Sequence, residues 1–184
     1  MLQKEKERMV REVMATMSPE QRYKLHFEDM YGVCKEQEWG DPFSYARSKE
    51  IYAAIELGHR IAPRFDGPDS YNENDEPCEF KSTTGAKPKG AYTGISVQDS
   101  WPKQERYLKN EKIACYPEHY MTRFDGGKLV EAWVLSGKKV YDLLLPKLKK
   151  KYPTVLSKKD PRLSANITTT EIHRWGKQVI SVSK

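Results

Sequence analysis

No apolar run in this chain approaches the ~18 residues needed to cross a bilayer. Met1-Leu2-Gln3-Lys4-Glu5-Lys6 also lacks the apolar stretch of a signal peptide. The expectation is a soluble, cytoplasmic protein with no membrane partner. Cysteine is scarce too: Cys34, Cys78 and Cys115 are odd in number and widely separated, which argues against a disulfide framework and a Cys-rich zinc site. They read as reduced, structural thiols. Histidines 26, 59, 119 and 173 show no ligand spacing. Ser136-Gly137-Lys138-Lys139 lacks the upstream glycine and following hydroxyl of a phosphate-binding loop. There is no Gly-x-Ser-x-Gly, no Gly-x-Gly-x-x-Gly and no His-Glu-x-x-His. Acyl-transfer serine chemistry, dinucleotide binding and zinc-peptidase chemistry therefore have no motif here.

What is present is charge, unevenly spread. Of 184 residues, 38% are hydrophobic and 32% charged, enough apolar material for one folded domain with a polar surface. Residues 136–184 hold 12 Lys/Arg against 3 Asp/Glu, a net of +9, and residues 1–135 hold 20 against 23, a net of −3. A basic C-terminal part 136–184 beside an acidic body fits a polyanion gripped by one part and cut by another. A lysine-rich solvated helix accounts for some of that charge equally well.

Periodicity divides the chain into elements. Residues 2–17 carry Met9, Val10, Val13, Met14 and Met17 at helical spacing, a stripe for either a partner subunit or the core. Ser18-Pro19-Glu20-Gln21 reads as the capped start of a second helix, giving N-terminal helices over 1–40. A third helix is expected from Phe43 to Leu57, with Ile51, Ala54 and Ile55 inward and Gly58 as its stop. Strands are expected over Ile61–Phe65 and Cys78–Thr83, forming an antiparallel hairpin, then over Ala91–Gln98, Ile113–Phe124 and Leu129–Leu135. Asp125-Gly126-Gly127 should make the hairpin turn between the last two. Ser136 should cap a helix that Pro146 ends or kinks, followed by a basic connector over 149–162. A short polar strand at 166–170 and a last helical turn or two follow. The expected fold class is α/β (α+β): a mixed central sheet of four or five strands flanked by helices, in a single domain 1–184.

One stretch, Gly67 to Thr83, carries chemistry. A turn holds Asp69, and a strand after it holds Glu79, Lys81 and Thr83 on one face and Cys78, Phe80 and Ser82 on the other. Two carboxylates and the Phe80 carbonyl are oxygen donors suited to Mg2+, and an ammonium beside them can orient water or stabilise developing charge. Turn formers over 66–77 and a solvated Glu-x-Lys pair would give a similar pattern without a site. Against that stands the local density of acid: Asp66, Asp69, Glu73, Asp75, Glu76 and Glu79 fall within fourteen residues, and such a cluster calls for solvent or a cation. Asp66 is the reserve carboxylate.

Pro68-Asp69, nine residues and Glu79-x-Lys81 resemble the PD-(D/E)XK nucleases, and in so short a chain most of all a type II restriction endonuclease. The resemblance implies a restriction-endonuclease-like fold and a Mg2+-dependent, sequence-specific double-stranded DNA endonuclease. Asp69, Glu79 and Lys81 would be catalytic, with Asp69, Glu79 and Phe80 at the metal. It further implies a homodimer, a cognate DNA methyltransferase, and an acidic residue from an upstream helix. Glu50 and Glu56 are the candidates for that residue, each by default an exposed helix charge. Candidate DNA contacts are Lys87 and Lys89 in the loop after the strand, Thr93, Ser96 and Gln98, and Asn166 and Thr168. Two alternatives stand beside this: a nuclease of the same fold with structure preference, in repair or phage DNA processing, and a nucleic-acid-binding module without catalysis.

Overall fold

The computed structural model describes residues 2–63 and 67–182. Its elements run α1 (Leu2–Ala15), α2 (Pro19–Glu36), α3 (Arg47–Leu57), β1 (Arg60–Ile61), β2 (Ser70–Tyr71), β3 (Pro77–Thr83) and β4 (Gly90–Ser96). There follow α4 (Trp101–Tyr107), a π-helical turn (Leu108–Lys112), β5 (Glu118–Asp125), β6 (Lys128–Ser136), α5 (Gly137–Val155), β7 (Arg162–Ile167), α6 (Thr169–Trp175) and β8 (Lys177–Ser181). The fold mixes helices and strands around a mixed central sheet, as expected.

That sheet has six strands in the order β1-β2-β3-β5-β6-β8. Only β3 and β5 run parallel, and the other neighbours are antiparallel. The two-residue turn between β5 and β6 places Gly126 at φ 56° and Gly127 at φ 79°, positive values that a tight hairpin turn demands of both central residues. Alternation then sorts the side chains. Cys78 and Phe80 of β3 join Tyr120 and Phe124 of β5 in a core against Ala53 and Ala54 of α3. On the opposite face Met121 and Leu135 meet Val140, Leu144 and Leu148 of α5.

Several expectations are corrected. The expected hairpin of β1 with β3 does not form, because β2 sits within the acidic loop and pairs with both. β1 is described only for Arg60–Ile61, and Phe65 and Asp66 lie outside the described residues. β4 is not in the central sheet; it pairs with β7 in a separate two-stranded sheet. The segment Ile113–Pro117 is a turn, and the strand begins at Glu118. With β2 inserted and β8 added on the outside of β6, the described central sheet has six strands rather than four or five.

Helix ends follow local chemistry more closely. Ser18 and Gln21 form a reciprocal cap on α2, and Ser136 accepts the Lys139 N–H to start α5. Gly58 ends α3 in the left-handed region at φ 71°. Asp41 does not start α3; it accepts from the Phe43 N–H and Ser44 hydroxyl in a turn, and the helix begins at Arg47. Ile55 is exposed and Ala53 takes the inward position beside Ala54. α5 continues past Pro146 and Pro153 to Val155, so there is no connector before residue 156. Pro146 faces solvent, and a helical proline costs about 3 kcal/mol. The buried Val140, Leu144, Leu148, Tyr152 and Val155 offset that, at about 1.5–3 kcal/mol for each large apolar side chain.

The N-terminal helices lie largely outside both cores. Cys34 is the one buried residue of α2, while Met9, Val10 and Val13 of α1 are exposed. The apolar stripe of α1 is thus not core within this chain. Among the described residues no helix is long and apolar enough to cross a membrane.

Candidate active site

Strand β3 carries the site. Its pleat buries Phe80 against α3 and turns Glu79 and Lys81 to the other face, where the Lys81 ammonium pairs with Glu79 Oε1. Asp69 is delivered by the turn before β2: its N–H donates to the Cys78 carbonyl (2.9 Å), and its Oδ2 accepts the Phe80 N–H (2.6 Å). The main chain of β3 therefore fixes the aspartate, and the alternating neighbours supply glutamate and lysine. All three expected catalytic residues meet in one place.

A fourth charged side chain, again a carboxylate, joins them. Glu50 of α3 is largely buried, 3.5 Å from the Arg47 guanidinium, and it feels Lys81 and Glu79. Arg47 is itself anchored by donating from Nε to the Trp39 carbonyl (2.7 Å) and from its other arm to the Ala62 carbonyl. Of the two upstream candidates Glu50 is thus at the site, and Glu56 is an exposed helix charge.

The electrostatics reflect crowding of like charge. Burial first, then Glu79 and Glu50, push the Asp69 carboxyl well above the usual aspartate value, against the pull of Lys81 and the Phe80 N–H. Burial also raises Glu50, partly countered by Arg47 and Lys81. For Lys81 burial opposes the charge, but Glu79, Asp69 and Glu50 outweigh it and hold the ammonium above the ordinary lysine value. If fully ionised, three carboxylates against Lys81 and Arg47 carry one negative charge in excess, a load that the raised pKa of Asp69 and of Glu50 resists. Such a site relaxes when a hard cation arrives.

Among the described residues no group of three or more His, Cys, Asp or Glu side chains is placed to hold a metal. The donor set at β3 is smaller, with one carboxylate each from Asp69 and Glu79 and the Phe80 carbonyl. Its all-oxygen chemistry and its surplus negative charge suit Mg2+.

Other acidic residues of the stretch do different work. Asn72 Oδ1 accepts the N–H groups of Asn74 and Glu76 (3.0 Å each), which shapes an exposed turn, and Asp75 pairs with Arg60. Thr83 shares the face of Lys81 but closes the next loop by accepting the Gly85 N–H (3.0 Å). His59 lies past α3 with Nδ1 3.1 Å from the Ser70 hydroxyl, and burial lowers its pKa.

The candidate DNA contacts are dispersed. Lys87 and Lys89 both lie in the loop after β3, and Lys87 lines a 690 Å³ cleft between that loop and α6, together with Thr169, Thr170, His173 and Arg174. Thr93 and Asn166 lie exposed on the small sheet. Ser96 accepts from Arg162 (3.3 Å). Gln98 holds the fold through its main chain, its N–H on Gln104 and its carbonyl under the Tyr152 hydroxyl. The Thr168 hydroxyl caps α6 at the Glu171 N–H (3.3 Å). Part of the basic charge likewise serves the fold: Lys147 pairs with Glu171 (2.7 Å) and, like Lys151, donates to a β7 carbonyl.

Sequence reasoning gave no role to two buried polar residues beside β3. His119 of β5 is in register with Glu79, and Tyr92 of β4 presents its ring to the Lys81 ammonium at 5.2 Å. Strand parity alone points to His119 once β3 and β5 are paired; nothing local marks Tyr92.

No protein-family model matches the chain, and no curated protein matches it in sequence.

Proposed function

We propose that the protein is a Mg2+-dependent endonuclease of the PD-(D/E)XK kind, cutting double-stranded DNA at a specific sequence as type II restriction enzymes do. The observation that carries this reading is the convergence of Asp69, Glu79 and Lys81, with Glu50 beside them, on one strand and the turn that feeds it. Asp69 and Glu79 would hold the metal, assisted by the Phe80 carbonyl. When bound, Mg2+ polarises a phosphoryl oxygen and lowers the pKa of water. Lys81 exchanges part of its pairing with Glu79 for the attacking water or the developing phosphorane charge. Glu79 and Asp69, with a smaller part from Glu50, keep the ammonium protonated.

The duplex backbone runs past the cleft where Lys87 and Arg174 offer cations. Two strands require two sites, so the active species is a homodimer, and two-fold symmetry in the protein matches a palindromic site. A methyltransferase of the same specificity would protect the host DNA. The exposed stripe of α1 supplies apolar surface for the second copy.

The reading is tested with unmethylated linear duplex, nicked duplex and branched junctions, each with Mg2+ or with EDTA. Discrete, metal-dependent fragments from the linear duplex are expected. Preferential cutting of junctions or nicks would move the protein to a structure-directed nuclease, and binding without cutting would leave a nucleic-acid-binding module.

A further inference from the structure

Beneath the Lys81–Glu79 pair lies a buried chain of polar groups with no part in the chemistry above. His119 is fully buried, and its Nε2 lies 2.9 Å from the Ile113 carbonyl. A carbonyl only accepts, so Nε2 carries the proton and Nδ1 is left as an acceptor. The Tyr92 hydroxyl, 2.8 Å away, donates to it. With its hydroxyl end fixed, the Tyr92 ring has one orientation, and its centroid stands 5.2 Å from Lys81 Nζ, within the range of a cation–π contact. Glu79 engages the same ammonium.

This arrangement spans a seam. Tyr92 belongs to the small sheet, whose strands share no ladder with β3, while His119 belongs to the strand beside β3. Lysine has a long, flexible side chain, and a single carboxylate partner leaves its ammonium free to swing. A ring face on a second side removes that freedom.

We infer that Tyr92, held by His119, is the positioning residue that keeps the Lys81 ammonium over the catalytic strand. Its role in turnover rests on the nuclease reading; the contact itself does not.

Two variants separate ring from hydroxyl. Tyr92→Leu removes the ring, while Tyr92→Phe keeps it and loses only the bond to His119. Two readouts are needed on protein carrying 13C-labelled lysine, with the Lys81 signals assigned by their loss in Lys81→Arg. The first is the shift of the Lys81 Cε protons, which lie near the ring and are moved by its current. It should be displaced in the wild type, less so in Tyr92→Phe, and at the ordinary lysine position in Tyr92→Leu.

The second readout is steady-state DNA cleavage with Mg2+. Tyr92→Leu should lose about tenfold in kcat, equivalent to about 1.4 kcal/mol, with KM nearly unchanged, and Tyr92→Phe, whose ring has lost its anchor on His119, should lose less. An undisplaced Lys81 signal in the wild type, or one that stays displaced in Tyr92→Leu, overturns the inference. So does a kcat per folded molecule that is unchanged in Tyr92→Leu. If the wild type cuts no DNA, the nuclease reading fails by itself. The shift then decides the positioning claim alone: lost in Tyr92→Leu it stands, retained it falls.

Discussion

Acid should unfold this protein partly through one residue, His119. Its ring is fully buried, with Nδ1 occupied by the Tyr92 hydroxyl and Nε2 by the Ile113 carbonyl. Burial lowers its pKa from 6.5 to about 4; the Ile113 carbonyl and Glu79 oppose that fall, and Lys81 adds to it. A folded pKa below the unfolded one means that the unfolded chain binds the proton first as pH drops. The stabilising effect is therefore complete above about 6.5 and is lost as pH falls through about 4. At about 1.4 kcal/mol for each pH unit across that interval, the loss is about 3 kcal/mol. For a domain whose whole stability is about 5–15 kcal/mol, that is a large share. Urea unfolding of wild type and His119→Gln at several pH values from 7.5 to 4 measures it. Wild type should lose about 3 kcal/mol more than the variant over that range. Parallel curves for the two proteins would show that His119 does not carry the acid sensitivity.

Asp69 behaves in the opposite sense. Its folded pKa is raised, so it favours the fold fully below the unfolded value of 3.8 and progressively less as pH rises through the folded value. Asp69→Asn keeps an acceptor for the Phe80 N–H and removes the charge, and should raise Tm at pH 7.5 by about 2–4 °C for each kcal/mol gained, with no gain near pH 3; a lower Tm at pH 7.5 would contradict this. Lys87→Ala with Arg174→Ala should weaken DNA binding and reduce the slope of log K against log salt by about one for each phosphate no longer neutralised. An unchanged slope removes the cleft from the DNA path. Met9→Glu with Val13→Glu should convert a dimer to monomer in light scattering after size exclusion, and a dimer that persists places the interface elsewhere.

The site was legible because strand parity is a local rule: Glu79 and Lys81 must share a face, and Phe80 must take the other. The Asp125-Gly126-Gly127 turn and the caps at Ser18 and Ser136 were legible for the same reason. What escaped depends on partners distant in sequence. The polar, mostly exposed β8 has no alternation to announce it, and its pairing with β6 comes from the tertiary fold. β4 and β7 look like strands of the main sheet until their buried faces, with Tyr92, Ile95, Leu163 and Ile167, are seen to rest on the α5 core. Pro146 misleads because its cost is local, whereas the apolar residues that hold α5 together lie on both sides of it. Glu50 could be nominated but not chosen over Glu56, since the choice rests on Arg47, which Trp39 and Ala62 anchor from outside the helix.

The functional reading depends on hydrolysis of phosphodiesters by Asp69, Glu79 and Lys81 with Mg2+. Digestion of long unmethylated DNA with wild type, Glu79→Ala and Lys81→Ala, each shown to be folded and to bind the DNA, decides it. Discrete fragments from the wild type that need Mg2+ and share one sequence at their ends are expected, with none from either variant. Uncut DNA from the wild type, or equal cutting by the variants, would overturn the assignment.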